Sequence, residues 1–508
     1  MTQYVLGIDS GSSTVKVTLH TDDGSLVASV AEPTPMDQPW PDAVERDPEA
    51  HWAAVAGAVR RLVAHAGVRA GSVAAIGLAG HGDGVHLVDN EGRPVGPALL
   101  SQDTRAAAVL DAWAADGTLA ELRNATGQVP FPGSPAPLLR WLDRHEPERL
   151  ARARWVLAAK DWIRLRMTGE IATDRTDAGG SFADLDSHEY SERALQVTGL
   201  EHLAYLLPPV LEPTAVAGHL LPAAASELGL PAGIPVATGL HDVAATVLGT
   251  VGTEPGRLCV IAGTFGVNVV LVDRPVRNEL LNTRPGPFPG TWTVRRTARA
   301  SGASVAWAAK ALLGERGTAG DVLDLAFQAD LDHDPPTFVP FVFGGTADQP
   351  GYGSFFGLRS WHGREAMLRS VVECIAFNHC HDVGVVRDSV PVRSIHLAGG
   401  LTRDSRWNQL LADALDEEIS CTRSDDTGAR GAATTAAVAA GLAADLPQAV
   451  ERFRAPSEQI APGPAAPELR RRLRRFRDIL SSVRVLESQL DMSESTSPMP
   501  TGVTVREV

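Results

Sequence analysis

The sequence predicts an α/β protein of two large domains, and three observations carry that expectation. At 508 residues the chain is too long for a single hydrophobic core. Its apolar content is ordinary and glycine is plentiful, which suits a folded α/β protein better than a disordered chain. The third observation is a pattern: strand, turn of small polar residues and return strand at the N-terminus, echoed about 250 positions later. Two similar domains, each offering such a turn to phosphate across a cleft, would account for the echo.

The opening element runs from Tyr4 to Leu19. Val5 to Ile8 is an apolar run that reads as a buried strand ending on Asp9. Gly11, Ser12 and Ser13 make a tight turn, after which Val15, Val17 and Leu19 alternate with polar residues as a second strand. Free N–H groups and hydroxyls in such a turn can hold phosphate oxygens, and the acid can hold Mg²⁺ through water. An ordinary N-terminal hairpin fits the same residues, so the rest of the chain has to decide.

Leu26 to Val30 reads as a third strand after an Asp23-Gly24 turn, and the Pro-rich stretch Glu32 to Pro48 reads as loop. Trp52, Val55, Val59 and Leu62 give His51–Ala66 a helical period. Val73 to Leu78 is a short buried strand running into Gly80-His81-Gly82-Asp83-Gly84, and Ser101-Gln102-Asp103-Thr104-Arg105 opens an Ala-rich helix. Residues 134–210 read as mostly helical, with one helix from Trp155 to Met167. Val236 to Leu240 is a buried strand ending on His241-Asp242, with a helix after it. The echo follows: strand Leu258–Ala262, turn Gly263-Thr264-Phe265-Gly266, return strand Val267–Val272. Ile395–Ala398 runs into Gly399-Gly400, and Gly428 to Ala433 starts a small-residue helix able to pack closely on a sheet. From Pro456 the chain reads as a Pro/Ala linker, an Arg-rich helix over Leu469–Leu490 and a polar tail.

Composition narrows the function. A net charge of −15 argues against a nucleic-acid partner, which needs a basic face. There is no apolar run long enough to span a bilayer and no basic-then-apolar leader, so the expected location is cytoplasmic, away from membranes. The four cysteines are scattered, as suits reduced, buried thiols, and the Cys374, His379, Cys380, His381 group reads as helix core rather than a metal site. Only Lys16, Lys160 and Lys310 are lysines and none follows a glycine, which rules out a G-x-x-x-x-G-K-[ST] phosphate loop.

Two acids, Asp9 and Asp242, end buried strands in the two halves, where open α/β sheets place their chemistry. Phosphoryl transfer needs phosphate positioning, a divalent cation and a base for the acceptor hydroxyl. Asp9 with its turn suits the first two tasks; Asp242 suits the third, although a helix cap is its simpler role.

At this point the residues resemble a family. Asp9-x-Gly11-Ser12-x-Thr14-x-Lys16, Gly239-x-x-Asp242, Gly263-Thr264, Gly399-Gly400 with Trp407, and Gly353 to Leu358 followed by Met367, Ser370 and Glu373 are similar to the FGGY carbohydrate kinases. The match departs at Leu138, where lysine is usual, and at Ala366, where a polar residue is usual. The resemblance implies two actin-like, ribonuclease H-like domains of the actin/hexokinase/Hsp70 superfamily around a central cleft. The expected division is 1–241 for the N-terminal domain, 242–454 for the ATP-binding C-terminal domain, and 455–508 for linker, helix and tail.

The resemblance also implies roles. Asp242 would be the general base, with Asp9 and Asp242 near Mg²⁺; Gly11, Ser12, Ser13 and Lys16 would face ATP phosphates, as would Gly263 and Thr264 from the second domain. Gly399, Gly400 and Asp404 would border the adenine, although serine or asparagine is usual at the last. His81, Asp103 and Arg105 would lie at the sugar. The expected activity is transfer of the ATP γ-phosphate to a terminal hydroxyl of a ketopentose-like sugar. Stretches from Pro135 to Arg149 and Lys160 to Gly169 look most like L-xylulose/3-keto-L-gulonate kinases, whereas Gly82-Asp83-Gly84 is similar to erythritol kinases, making a polyol the alternative acceptor. A non-catalytic, chaperone-like member of the superfamily is the alternative class. The expected partner is a small sugar or polyol, and the sequence leaves a homodimer open.

Overall fold

The computed structural model describes residues 2–298, 300–330, 333–343, 352–422 and 426–490. Its contacts divide the chain into two compact units, and the division is not the linear one at 241/242. One unit comprises Met1–Pro255, Leu271–Val294 and Asp426–Ala455; the other comprises Gly256–Val270, Arg295–Asp425 and the C-terminal segment from Pro456.

The first unit is built on a mixed sheet. Its strand order is Val216–His219, Pro235–Ala237, Val73–Gly80, Tyr4–Ser10, Thr14–Thr21, Leu26–Pro33, with Leu240–His241 also paired to Val73–Gly80. Tyr4–Ser10 is antiparallel to its hairpin partner and parallel to Val73–Gly80. Strand alternation sends Leu6 and Ile8 to one face, where Trp52, Val55, Val59 and Leu62 of helix Pro48–Ala66 cover them. That helix starts where proline ends the loop, with the Asp47 side chain accepting from the Glu49 N–H. Val5 and Ala75 face the other way, against Ala433, Ala436 and Ala437 of helix Thr427–Ala439. There the backbones all but touch: a Cβ at Gly7 or Gly77 would overlap the carbonyl of Ala429 or Ala432, so only glycine fits.

The second unit repeats the hairpin logic. Arg257–Ala262 is antiparallel to Gly266–Val272 and parallel to Ser394–Ala398, which is parallel in turn to Ile419–Thr422. Helices Arg364–Ser389, Ser405–Leu415 and Ala466–Leu490 pack on one another beside it.

Three expectations need correcting. The segment after Pro456 is not merely a linker: Ser457–Ile460 forms an edge strand antiparallel to Ile419–Thr422. The helix over Trp155–Met167 is two elements, strand Trp155–Leu157 paired with His86–Val88, then helix Ala159–Thr168. The strand Val236–Leu240 is broken at Gly239, whose φ of 90° interrupts it and lets the chain rejoin the sheet as Leu240–His241. The polar tail 491–508 lies outside the described residues. Within them, no helix is long and apolar enough to cross a membrane, and no group of His, Cys, Asp or Glu is arranged to hold a metal by itself.

Candidate active site

Register places the chemistry of the first unit. In the parallel pairing Asp9 stands opposite Ala79, and Ser10 opposite Gly80. On the other side of the same strand, His241 stands opposite Gly80. Three adjacent strands therefore end at one level, and the residues there are Asp9, His81 and Asp242. Their sequence separation hides this, because the last strand arrives after about 160 residues of excursion, from Gly80 to Leu240.

Asp9 is held in an unfavourable state for a carboxylate. Burial pushes its pKa up to about 7, helped by the charges of Asp242 and Asp426 and opposed by Lys16, its cross-strand partner. Its Oδ1 is buried without a hydrogen-bond partner among the described residues. Gly428, at the start of helix Thr427–Ala439, presses on the same carboxylate, and any Cβ there would overlap it. The turn after it closes by a bond from the Gly11 N–H to the Thr14 carbonyl, 3.0 Å. Two repelling carboxylates, one with an orphaned oxygen, are a donor set that fits a hard divalent cation.

Asp242 behaves oppositely. Burial raises its pKa, but the neighbouring His241 and His81 and the Val243 N–H outweigh that and hold it below the ordinary value. His241 Nδ1 lies 3.0 Å from its Oδ1, and Val243 N–H donates to the same oxygen at 2.6 Å. Oδ1 is thus tied down while Oδ2 is left to face a reactant. At 32 % exposed, the side chain is accessible. The His241 ring lies against Gly82, where a Cβ would overlap it.

His81 donates from Nδ1 to the Ser10 carbonyl at 3.2 Å, since a carbonyl can only accept. Nε2 is consequently an acceptor, buried and unpartnered. Asp103 and Arg105 are engaged with each other and with the loop. Asp103 accepts from the Val44 N–H at 2.8 Å and from Arg105, whose guanidinium also pairs with Glu45 at 2.6 Å and stacks between Trp40 and Trp141. Below the site, Lys160 is fully buried between Asp161, Asp174 and Asp177 at 2.6–2.9 Å, an ion cluster that anchors helix Ala159–Thr168. Asp83 is bound by Arg284, which also donates to Gln128. Sequence reading did not find the Asp426, Gly428 and Arg284 contributions, because each comes from a segment distant along the chain.

The second unit offers an uncharged turn. Gly263 and Thr264 present their carbonyls to the N–H groups of Gly302 and Ala303, at 2.9 and 3.0 Å, which fixes the loop's shape. Gly399, with φ of 101°, follows strand Ser394–Ala398 and leads into the turn Gly400–Arg403. Asp404 caps helix Ser405–Leu415 through the Arg406 N–H and pairs with the Arg406 side chain, so its carboxylate is largely engaged.

Comparison with known proteins decides the family. Residues 4–249 match the N-terminal domain of the FGGY family of carbohydrate kinases, and residues 258–440 match its C-terminal domain. The chain belongs to the FGGY carbohydrate kinases. As such it is a phosphotransferase that uses a hydroxyl acceptor, with the actin/hexokinase-like ATPase fold in two α/β parts. This kinase is 28 % identical to L-xylulose/3-keto-L-gulonate kinase of Escherichia coli strain K12, over 96 % of the chain and 99 % of that protein. It is 32 % identical to the xylulose kinase of the same strain, over 86 % and 90 %. Among solved structures, xylulose kinase from Rhodospirillum rubrum superposes with a TM-score of 0.83 at 26 % identity, covering 95 % of this FGGY kinase and 99 % of that chain.

Proposed function

We propose that this kinase transfers the γ-phosphate of ATP to a terminal hydroxyl of a five- or six-carbon polyhydroxylated acceptor of ketose type, with Asp242 as the general base. The observation that carries the reading is the contrast between the two acids: Asp242 is kept ionised with one free oxygen, while Asp9 is pushed toward protonation beside it. A base must be ionised and accessible at working pH, and Asp242 is both. The similarity to proteins named L-xylulose and xylulose kinases supports a ketose.

Asp9 and Asp242 would hold Mg²⁺, directly or through water, and the cation when bound supplies charge neutralisation on the phosphates. Asp242 Oδ2 takes the acceptor's proton as its oxygen attacks, and His241 and Val243 keep Oδ1 fixed during the transfer. His81 Nε2 accepts a hydrogen bond from an acceptor hydroxyl. Gly11 would shape the turn whose Ser12 and Ser13, with Lys16, would contact the nucleotide's phosphates, as would Gly263 and Thr264; Gly399, Gly400 and Asp404 would border the adenine. Asp103 and Arg105 would shape the loop at the acceptor. Erythritol-type polyols belong in the same trial, since one relative is an erythritol kinase. The test is ADP release on a panel of pentuloses, hexuloses, tetritols and keto-acids. Acceptor-dependent turnover supports the reading; no acceptor raising ADP release above the ATP-only rate would overturn it.

A further inference from the structure

The turn after Asp9 is held from behind, by its carbonyls. The Ser10 carbonyl accepts from the His81 N–H at 2.9 Å and from His81 Nδ1 at 3.2 Å, and the Ser10 hydroxyl lies 2.6 Å from His51 Nε2. The Ser13 carbonyl accepts from the Thr34 N–H at 2.8 Å. The Ser12 carbonyl accepts twice, from the Thr34 hydroxyl at 3.1 Å and from Nη2 of Arg46. The N–H groups of Ser12 and Ser13 donate to nothing among the described residues, whereas that of Gly11 closes the turn onto Thr14. In a planar trans peptide the carbonyl of one residue and the N–H of the next point opposite ways. Fixing the Ser12 carbonyl on Arg46 therefore aims the Ser13 N–H away from the guanidinium, and Ser13 is only half-buried.

A guanidinium is more than that task needs. Arg46 is fully buried. Its partners are the Pro35 and Ser12 carbonyls and the Thr34 hydroxyl, all uncharged, and Nη1 has none among the described residues. The acids beside it in sequence are engaged elsewhere: Glu45 with Arg105, and Asp47 with the Glu49 N–H. Burial lowers its pKa only to about 10, so it keeps its charge at neutral pH. A buried charge without a counter-ion costs stability, and the neutral Thr34 hydroxyl already serves the same carbonyl. What the charge adds is polarisation. A cation on the carbonyl end strengthens the peptide dipole, whose positive end is the next N–H.

We propose that Arg46 is a positioning residue for the nucleotide: through the Ser12–Ser13 peptide it aims and polarises the Ser13 N–H toward the phosphates of ATP. The negative phosphates in turn offset the buried charge when the nucleotide binds. The inference rests on the kinase reading above and adds to it a residue that touches neither ATP nor acceptor. Thr34 supports the same peptide without charge.

The test is calorimetric binding of ATP and of adenosine, each with Mg²⁺, to full-length wild type, Arg46→Gln and Thr34→Val, with steady-state kinetics alongside. Arg46→Gln should weaken ATP by about tenfold or more and leave adenosine within about twofold, because only the phosphates feel this peptide. Thr34→Val removes an uncharged bond to the same carbonyl and should weaken ATP by about threefold, with adenosine again spared. In turnover, Arg46→Gln should raise KM for ATP and leave KM for the acceptor unchanged. ATP and adenosine weakened equally would make Arg46 a structural residue and overturn the proposal. So would an unchanged affinity for ATP, or a rise confined to the acceptor's KM. Should Arg46→Gln fail to fold, Thr34→Val decides by the same ATP-to-adenosine ratio. Binding is measured without acceptor, so a wild type that binds ATP and turns over no sugar or polyol sinks the kinase reading and leaves this test intact.

Discussion

The two hairpin turns share a topology and differ in charge. Tyr4–Ser10 and Arg257–Ala262 each have an antiparallel partner on one side and a parallel strand on the other. The first ends on a carboxylate with an orphaned oxygen, opposite a lysine; the second ends on Ala262 and Gly263, with no ionisable group in its turn. A turn that only cradles phosphate can work with backbone N–H groups alone, and small residues serve best. A turn proposed to hold a cation as well needs charge, and charge buried beside like charge costs stability. The difference teaches that the electrostatic cost of this chemistry is concentrated in one of the two units.

That contrast can be broken by mutation. The largest effect is expected from Asp242→Asn, which keeps the shape and removes the proposed base. Steady-state kinetics should show kcat lower by roughly 100- to 10,000-fold, with ATP-induced stabilisation retained. A smaller effect is expected from Thr264→Ala in the uncharged turn. It should raise KM for ATP by about tenfold, the worth of one hydrogen bond to a charged phosphate, with kcat nearly unchanged. If Thr264→Ala instead lowers kcat as much as Asp242→Asn, the division of labour between the turns is wrong.

The smallest and most diffuse effect concerns acid stability. Burial holds His20, His81 and His379 near pKa 4, below their unfolded value of 6.5. The unfolded chain therefore binds protons first as pH falls, and stability is lost between about pH 6.5 and 4, by up to about 1.4 kcal/mol per pH unit for each such histidine. Chemical denaturation at pH 7, 6 and 5 measures it. A flat profile would mean that these rings are not buried in neutral form.

Much of this was legible in the sequence wherever the signal was local. The opening hairpin, the helix over His51–Ala66 (which the structure starts one turn earlier, at Pro48) and the strand before Gly399 follow from alternation and the 3.6-residue period. The two acids were legible because each ends an apolar run. What brings them together was not, since adjacency of Asp9, His81 and Asp242 is a property of strand order. Arg46 sat in a Pro-rich stretch that reads as loop, and nothing local announces that its charge is buried. The edge strand Ser457–Ile460 was hidden in the same way, by polar residues that pair through backbone alone.

The unequal sharing of electrostatic cost is tested most directly by melting Asp9→Asn and wild type side by side from pH 5 to 9, without nucleotide or cation, alongside turnover. Asp9's folded pKa of about 7 lies above its unfolded value of 3.8, so its ionisation destabilises the folded state progressively as pH rises through that window. The variant's stability relative to wild type should therefore rise by on the order of 1–3 kcal/mol between pH 5 and pH 8 and level off above that. Its turnover should fall by about 100-fold or more. A relative stability that stays flat or falls between pH 5 and pH 8, or a variant that keeps its activity, would contradict the account.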